Sequence, residues 1–235
     1  MLPAQQSNLT ATLDAVNEAF FYGRPLSIGQ PLEVAQQIIE RQNPSSRRMT
    51  YTGFALDERE RQAGVILFTG EKLRTRFPAV DVLSVEACRA LRLLAGDDPA
   101  AQATIKQVEV GLRRACFVQR CIMGECAHAM AAVWRYLAVG GLDETERRIT
   151  DYMEILSAQR DGKGRWKRFP FYYTLLALSE LDHPAALEEI RYVAPTCERY
   201  LRRRPQSDPI STRRRDILER ILVKIDRVAS PTFWT

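Results

Sequence analysis

Three stretches of the chain superpose as one joint: ALRLLAGDDPAAQATI (90–105), AVWRYLAVGGLDETERRI (132–149) and LLALSELDHPAALEEI (175–190). In each, an apolar-periodic run stops at a short turn and a second run begins after it. Leu93, Leu137 and Leu178 match, which gives steps of 44 and 41 residues. Two helices per repeat of that length is the arithmetic of stacked helical hairpins, each too thin to bury its apolar stripe without the next. No strand–helix alternation appears, so a doubly wound sheet is not expected. The predicted fold is all-α, with two-helix repeats stacked as an α/α superhelix or a small or partial toroid, in one domain across residues 1–235.

The elements follow from caps and periodicity. Ser7 to about Tyr22 carries Leu9, Leu13, Val16 and Phe20 at helical spacing behind a serine cap. Pro31–Gln42 is a second helix, and Asn43–Arg48 a polar loop. Residues 49–78 admit two readings: a helix continuing from Asp57 through Phe68, or Tyr51–Phe54 paired with Val65–Phe68 as a hairpin. The helical reading is adopted. Ser84 is expected to cap a helix ending at Gly96, and Asp98-Pro99 to open the next. Further helices run from about Gly124 to Val139 and over Asp143–Ala158. Another passes from Pro170 to Leu181, and Pro184 opens one that Pro195 interrupts. The last, from about Pro209, buries Ile217, Ile221, Leu222 and Ile225 and turns Arg213, Arg214, Arg220, Lys224 and Arg227 outward.

Composition narrows the class. Hydrophobic residues make up 46% and charged residues 27% of 235, the balance of a packed rather than a disordered chain. There is no apolar run near the roughly 20 residues of a membrane span and no signal-peptide pattern at the start. Five cysteines in a chain this long do not suggest a disulfide framework, so a cytoplasmic location is expected. The net charge of +5 is uneven: from Arg199 to Thr235 ten Lys/Arg face four Asp/Glu, leaving the remainder about neutral.

A second, shorter repeat marks the candidate site. Gly70–Pro78 is GEKLRTRFP and Gly162–Pro170 is GKGRWKRFP, with Gly, Arg, Phe and Pro at identical spacing. Arg76 and Arg168 thus occupy matching places. The later copy opens the densest aromatic and basic stretch of the chain. Arg165, Trp166, Lys167, Arg168, Tyr172 and Tyr173, with Arg76, are the predicted ligand contacts. Guanidinium forks suit a phosphate or carboxylate, and aromatic faces suit an apolar or planar portion.

Tyr152–Trp166 (YMEILSAQRDGKGRW) resembles the QW-type repeat of the squalene cyclase and protein prenyltransferase group. Ile155-Leu156, Gln159, Gly164 and Trp166 fill its roles, with one extra residue between Gln159 and Gly164. The resemblance implies α/α repeat architecture, with glutamine at helix ends and tryptophan packed over a joint between hairpins. It carries over no catalytic residue, because neither the acidic motifs nor the zinc ligands of those families occur in a matching context.

Other chemistry is weaker. Cys116, Cys121, Cys126 and His128 offer three thiols and an imidazole. Their spacing matches neither paired C-x-x-C knuckles nor an i, i+4 pair on a helix, so they are assigned to buried apolar positions and no metal or cofactor is expected. No phosphate loop, HExxH or GxSxG pattern occurs. Arg202–Arg204 and Arg213–Arg215 flank Pro205–Thr212 and would suit a nucleic-acid backbone if they formed one continuous face. The function expected is therefore non-catalytic binding of a protein partner or an anionic amphipathic small molecule. The alternatives are a terpenoid-cyclase-like or transferase enzyme and a nucleic-acid-binding helical repeat.

Overall fold

The computed structural model describes residues 8–43, 52–204 and 206–229, and the side chains of all of these except 76–78 and 227–229. Ten helices dominate the described residues: α1 (Leu9–Tyr22), α2 (Pro31–Ile39), α3 (Glu58–Ala63), α4 (Arg76–Ala95), α5 (Pro99–Leu112), α6 (Cys126–Leu137), α7 (Thr145–Ser157), α8 (Phe171–Glu180), α9 (Pro184–Leu201) and α10 (Pro209–Ala229). The fold is thus mostly α-helical, and no described helix is long and apolar enough to cross a membrane.

The caps explain most boundaries. The Asn8 side chain accepts the Ala11 amide at 3.0 Å, one residue past the expected serine. The Asp98 carboxylate accepts the Ala101 amide at 2.9 Å, with Pro99 at the first helical position. Packing runs in order: α4 lies on α6, α6 on α8, and α8 on α10. The second members flank them, α5 on α4, α9 on α8 and α10, and α7 on α9, while α1 and α2 cover α4. Helix α6 is the centre. Ala127 and every residue from Ala129 to Leu137 are buried, as expected of a helix that is apolar all round.

Five expectations are corrected. Residues 58–68 do not form one helix: α3 stops at Gly64, where β3 (Val65–Ile66) turns back to pair antiparallel with β4 (Lys72–Leu73). Nor does Phe54 pair with that segment, because β2 (Gly53–Phe54) pairs with β1 (Gln42–Asn43). Ser84 caps nothing; α4 begins eight residues earlier, and the buried Ser84 hydroxyl accepts the Phe54 amide at 3.1 Å. Pro195 does not interrupt α9. It lies on an exposed face, where water can serve the carbonyl its ring leaves unbonded. Phe20 is 42% exposed rather than part of the α1 core stripe, which ends at Ala19.

Beneath these layers α1, α4, α6 and α8 meet at an ionic web. Arg135 is 1% exposed and donates from Nε and Nη2 to Glu180 (2.9 and 3.0 Å), from Nη1 to Glu86 (2.5 Å) and from Nη2 to Asn17 (2.8 Å). Arg89 donates to Asn17 and Glu180, both at 3.0 Å, and the Tyr173 hydroxyl donates to Glu86. Two guanidiniums and two carboxylates balance. Burial opposes ionisation of Glu180, but Arg135 and Arg89 outweigh it and hold its pKa below the usual carboxylate value.

Candidate functional site

The starts of α4, α6 and α8 lie at one end of the molecule, and the turns before them interlock. Glu125, just before α6, accepts the amides of Arg74 (2.6 Å) and Thr75 (2.9 Å) at the entry to α4. Glu71, in the turn between β3 and β4, accepts the Tyr172 and Tyr173 amides at 2.8 and 3.2 Å. These amides are among those that α8 cannot satisfy internally. The first Arg-Phe-Pro turn thus caps the helix that follows the second. Burial pushes the Glu71 pKa up, against the Thr69 hydroxyl, the two tyrosine amides and Arg214, which pull it down.

Beside this junction the end of α9 and the start of α10 enclose a cleft of about 440 Å³. Its charged lining is Arg203, Arg204, Arg214 and Arg215, its aromatic lining is Tyr172 and Tyr200, and no carboxylate lines it among the described residues. Arg214 is set in place by donating Nε to the Thr69 carbonyl (2.8 Å) and by lying over the Tyr172 ring (4.6 Å to its centroid). Arg215 donates to the Leu201 carbonyl at 3.2 Å and pairs with Glu219. Arg203 covers the Tyr200 ring at 4.4 Å, and neither it nor Arg204 or Arg214 forms a salt bridge among the described residues. The N-terminus of α10 is already capped: Asp208 accepts the Ser211 amide at 3.0 Å. Burial raises the Tyr172 pKa, so its hydroxyl stays a donor at neutral pH.

The predicted contacts separate. Tyr172 lines the cleft, and the exposed Arg165 lies over Phe171 (4.8 Å), close enough to act on Tyr172. Lys167 and Arg168 are exposed, and Arg168 leans towards the Met123 sulfur at 3.8 Å. Trp166 and Tyr173 are both buried, and their polar atoms serve the core. Trp166 Nε1 donates to the buried Glu189 at 2.8 Å, and the Tyr173 hydroxyl serves Glu86. Arg76 opens α4, but its side chain falls outside the described residues. In the QW-like turn the tryptophan packs against Tyr192 of α9 and Phe171 of α8, and the Gln159 backbone carbonyl accepts the Lys167 amide at 2.9 Å.

Not all of the basic C-terminal residues share the cleft face. Arg213 points away from the cleft group to Asp14 and Glu18 of α1, at 2.9 and 2.5 Å. Lys224 donates to the Ser179 and Leu181 carbonyls rather than standing outward. Glu71 and Tyr200 were not marked by the sequence. A glutamate beside glycine in a polar turn reads as a solvated residue.

The thiols are also placed differently from expectation. Residues 113–125 form turns, not a helix, and Cys116 is exposed while Cys121 and Cys126 are half-buried. The three Sγ atoms lie within 4.8 Å of one another, Cys116 and Cys126 at 3.7 Å. Burial and the neighbouring thiols push Cys126 up to about 12. His128 is not in this group; burial lowers its pKa against the pull of Glu125, and its buried Nδ1 has no hydrogen-bond partner among the described residues.

Comparison with protein-family models, with curated proteins and with solved structures gives no significant match to this chain.

Proposed function

We propose that the chain is a binding protein for an anionic amphipathic small molecule, held in the cleft between the end of α9 and the start of α10. Its phosphate or carboxylate would sit among Arg203, Arg204, Arg214 and Arg215, with its apolar or planar portion against Tyr172 and Tyr200. The observation that carries this reading is a concave site with four guanidiniums and no carboxylate in its lining. Arg215 is paired with Glu219, but Arg203, Arg204 and Arg214 form no salt bridge among the described residues, so their like charges repel; a phosphate relieves that repulsion and accepts several charge-assisted hydrogen bonds. The cleft volume lies within the usual range for small-ligand sites. The diversion of Arg213 to α1 favours a compact anion over a nucleic-acid backbone. The architecture proposed around it is a stack of helical hairpins of the α/α superhelix type, which the order of packing from α4 to α10 supports.

The test is calorimetric titration of the full chain with pyrophosphate, phenyl phosphate and octyl phosphate at low and high salt. Each arginine contributes a charged hydrogen bond of about 1.5–3 kcal/mol, so Arg203→Ala or Arg214→Ala should weaken binding roughly tenfold or more. Tyr200→Ala should weaken the phenyl and octyl esters more than pyrophosphate. No binding of any of the three by the wild type, or equal binding by the Arg203→Ala/Arg204→Ala and Arg214→Ala variants, refutes the reading.

A further inference from the structure

Residues 113–125 connect α5 to α6 by a path that the chain holds firmly. Phe117 and Val118 are buried, Tyr152 donates its hydroxyl to the Val118 carbonyl at 2.9 Å, and Gln119 donates to the Arg113 carbonyl at 2.6 Å. Within that path the Cys121 amide bonds back to the Cys116 carbonyl at 2.8 Å, and Arg120 between them takes a left-handed φ of 72°. The Cys126 amide bonds the Met123 carbonyl at 3.0 Å where α6 begins. Three residues five positions apart are thereby brought to one point, which a continuous helix would not do.

We propose that Cys116, Cys121 and Cys126 form a binding site for a thiophilic d¹⁰ metal ion, Zn²⁺ or Cu⁺. Thiolate sulfurs at the usual zinc distance of about 2.3 Å from a tetrahedral ion are about 3.8 Å apart. Cys116 and Cys126 already stand at 3.7 Å, and the third sulfur lies within 4.8 Å of both. A disulfide would use two of the three and leave the last beside it without a role; one metal ion uses all three. Each thiol that ligates gives its proton to solvent, and the cation takes its place among the sulfurs. Because Cys116 is exposed, the fourth position of a tetrahedral ion opens to water or to an exogenous ligand. The ion would fasten the α5–α6 connection next to Glu125, which itself holds the entry to α4. Loading should therefore stabilise the end of the molecule where the inner helices start.

The experiment uses the full chain without an affinity tag, reduced and freed of metal, titrated with Co²⁺. The expected result is thiolate-to-cobalt charge-transfer absorption saturating at one ion per chain, bleached by added Zn²⁺. Competition with Cu⁺ then tells which ion the site prefers. Cys116→Ser, Cys121→Ser and Cys126→Ser should each weaken binding by more than the roughly 10–100-fold that losing an outer-shell partner costs. Cys197→Ser should leave it unchanged. A second measurement needs no variant: Zn²⁺ should protect the three thiols together from alkylation, read by peptide mass spectrometry. Absence of the cobalt absorption, equal alkylation with and without Zn²⁺, or a Cys116–Cys126 disulfide under mild oxidation in a chain that takes up no metal, each overturns the proposal.

Discussion

Arg135 is the residue whose loss should cost the fold most. It sits in the most enclosed helix, and three of its nitrogens make four hydrogen bonds to Glu180, Glu86 and Asn17. Replacing it with methionine roughly keeps the volume but leaves two carboxylates facing one guanidinium, Arg89, whose Nε already has no partner among the described residues. Removing one member of a buried ionic cluster costs about 3–5 kcal/mol, because the charge left behind stays desolvated. Against a total of about 5–15 kcal/mol that is a large share. At about 2–4 °C per kcal/mol for a chain of this size, Arg135→Met should lower Tm by roughly 6–20 °C. Arg135→Lys keeps the charge but places three donors on one nitrogen, which cannot reach all three acceptors, so its Tm should fall between wild type and Arg135→Met. The pH dependence gives an independent check. The pKa of Glu180 is depressed in the folded state, so its contribution is present above the ordinary glutamate value and lost as pH falls through the folded one. The gap between wild type and Arg135→Met should accordingly shrink in acid. Urea unfolding and thermal scans read both effects. A methionine variant within about 2 °C of wild type, or a gap that widens in acid, would refute the assignment of Arg135 as the charge that balances the web.

Three further substitutions probe the end of the molecule near the cleft. Burial raises the pKa of Glu71 above the ordinary value near 4.5, so the fold favours its protonated form and stability falls as pH rises between the two values. Glu71→Gln keeps an acceptor for the Tyr172 and Tyr173 amides; it should flatten that slope and gain on wild type towards neutral pH, as urea unfolding across the range would show. Gly164 (φ +78°) and Gly162 (φ +76°) share a left-handed backbone, but a Cβ on Gly164 would also strike the Thr196 hydroxyl, whereas one on Gly162 meets nothing. Both changes to alanine should cost about 1–2 kcal/mol for the backbone, and Gly164→Ala measurably more; equal losses of Tm would contradict the close packing of this turn on α9.

What could be read from the chain beforehand follows how local the cause is. Helix starts at Asp98-Pro99 and Pro184 and the stop at Gly96 were legible, because a cap and a proline act within one turn. Residues 58–73 were not, because a six-residue helix followed by a two-residue strand leaves too short a period to measure. Ser84 misled for a related reason: a serine before an apolar run looks like a cap, while its actual partner, the Phe54 amide, is thirty residues away. The cysteines were dismissed on helical spacing that the segment does not adopt. Arg135 carried a visible signal, an arginine inside AHAMAAVWRYLAV, where an unpaired charge could not survive burial. Its partners on α1, α4 and α8 depend on tertiary packing and left no mark in the sequence. Of the predicted ligand contacts, Arg165 and Tyr172 lie by the cleft, whereas Trp166 and Tyr173 look the same in one dimension and are buried in three.

The two matched turns show how a repeated sequence can serve different ends. Both deliver the chain through a left-handed glycine, Gly70 or Gly162, into a helix that starts at the same end of the molecule. They differ at the next position, Glu71 in one and Lys163 in the other. Only the first therefore places a half-buried carboxylate at the start of α8, and only there does Arg214 lie against the turn, bonded to the Thr69 carbonyl beside it. A Cβ at Gly70 would collide with the Ile210 side chain, so the backbone of this turn packs directly on that side chain at the start of α10. A lysine at position 71 would leave the Tyr172 and Tyr173 amides without their acceptor and set a second cation beside Arg214. The arginine cleft lies where the first turn, α8 and α10 converge, and its charge is tolerable there because Glu71 acts on Arg214 from outside the lining, Glu219 pairs with Arg215, and tyrosine rings lie under Arg203 and Arg214.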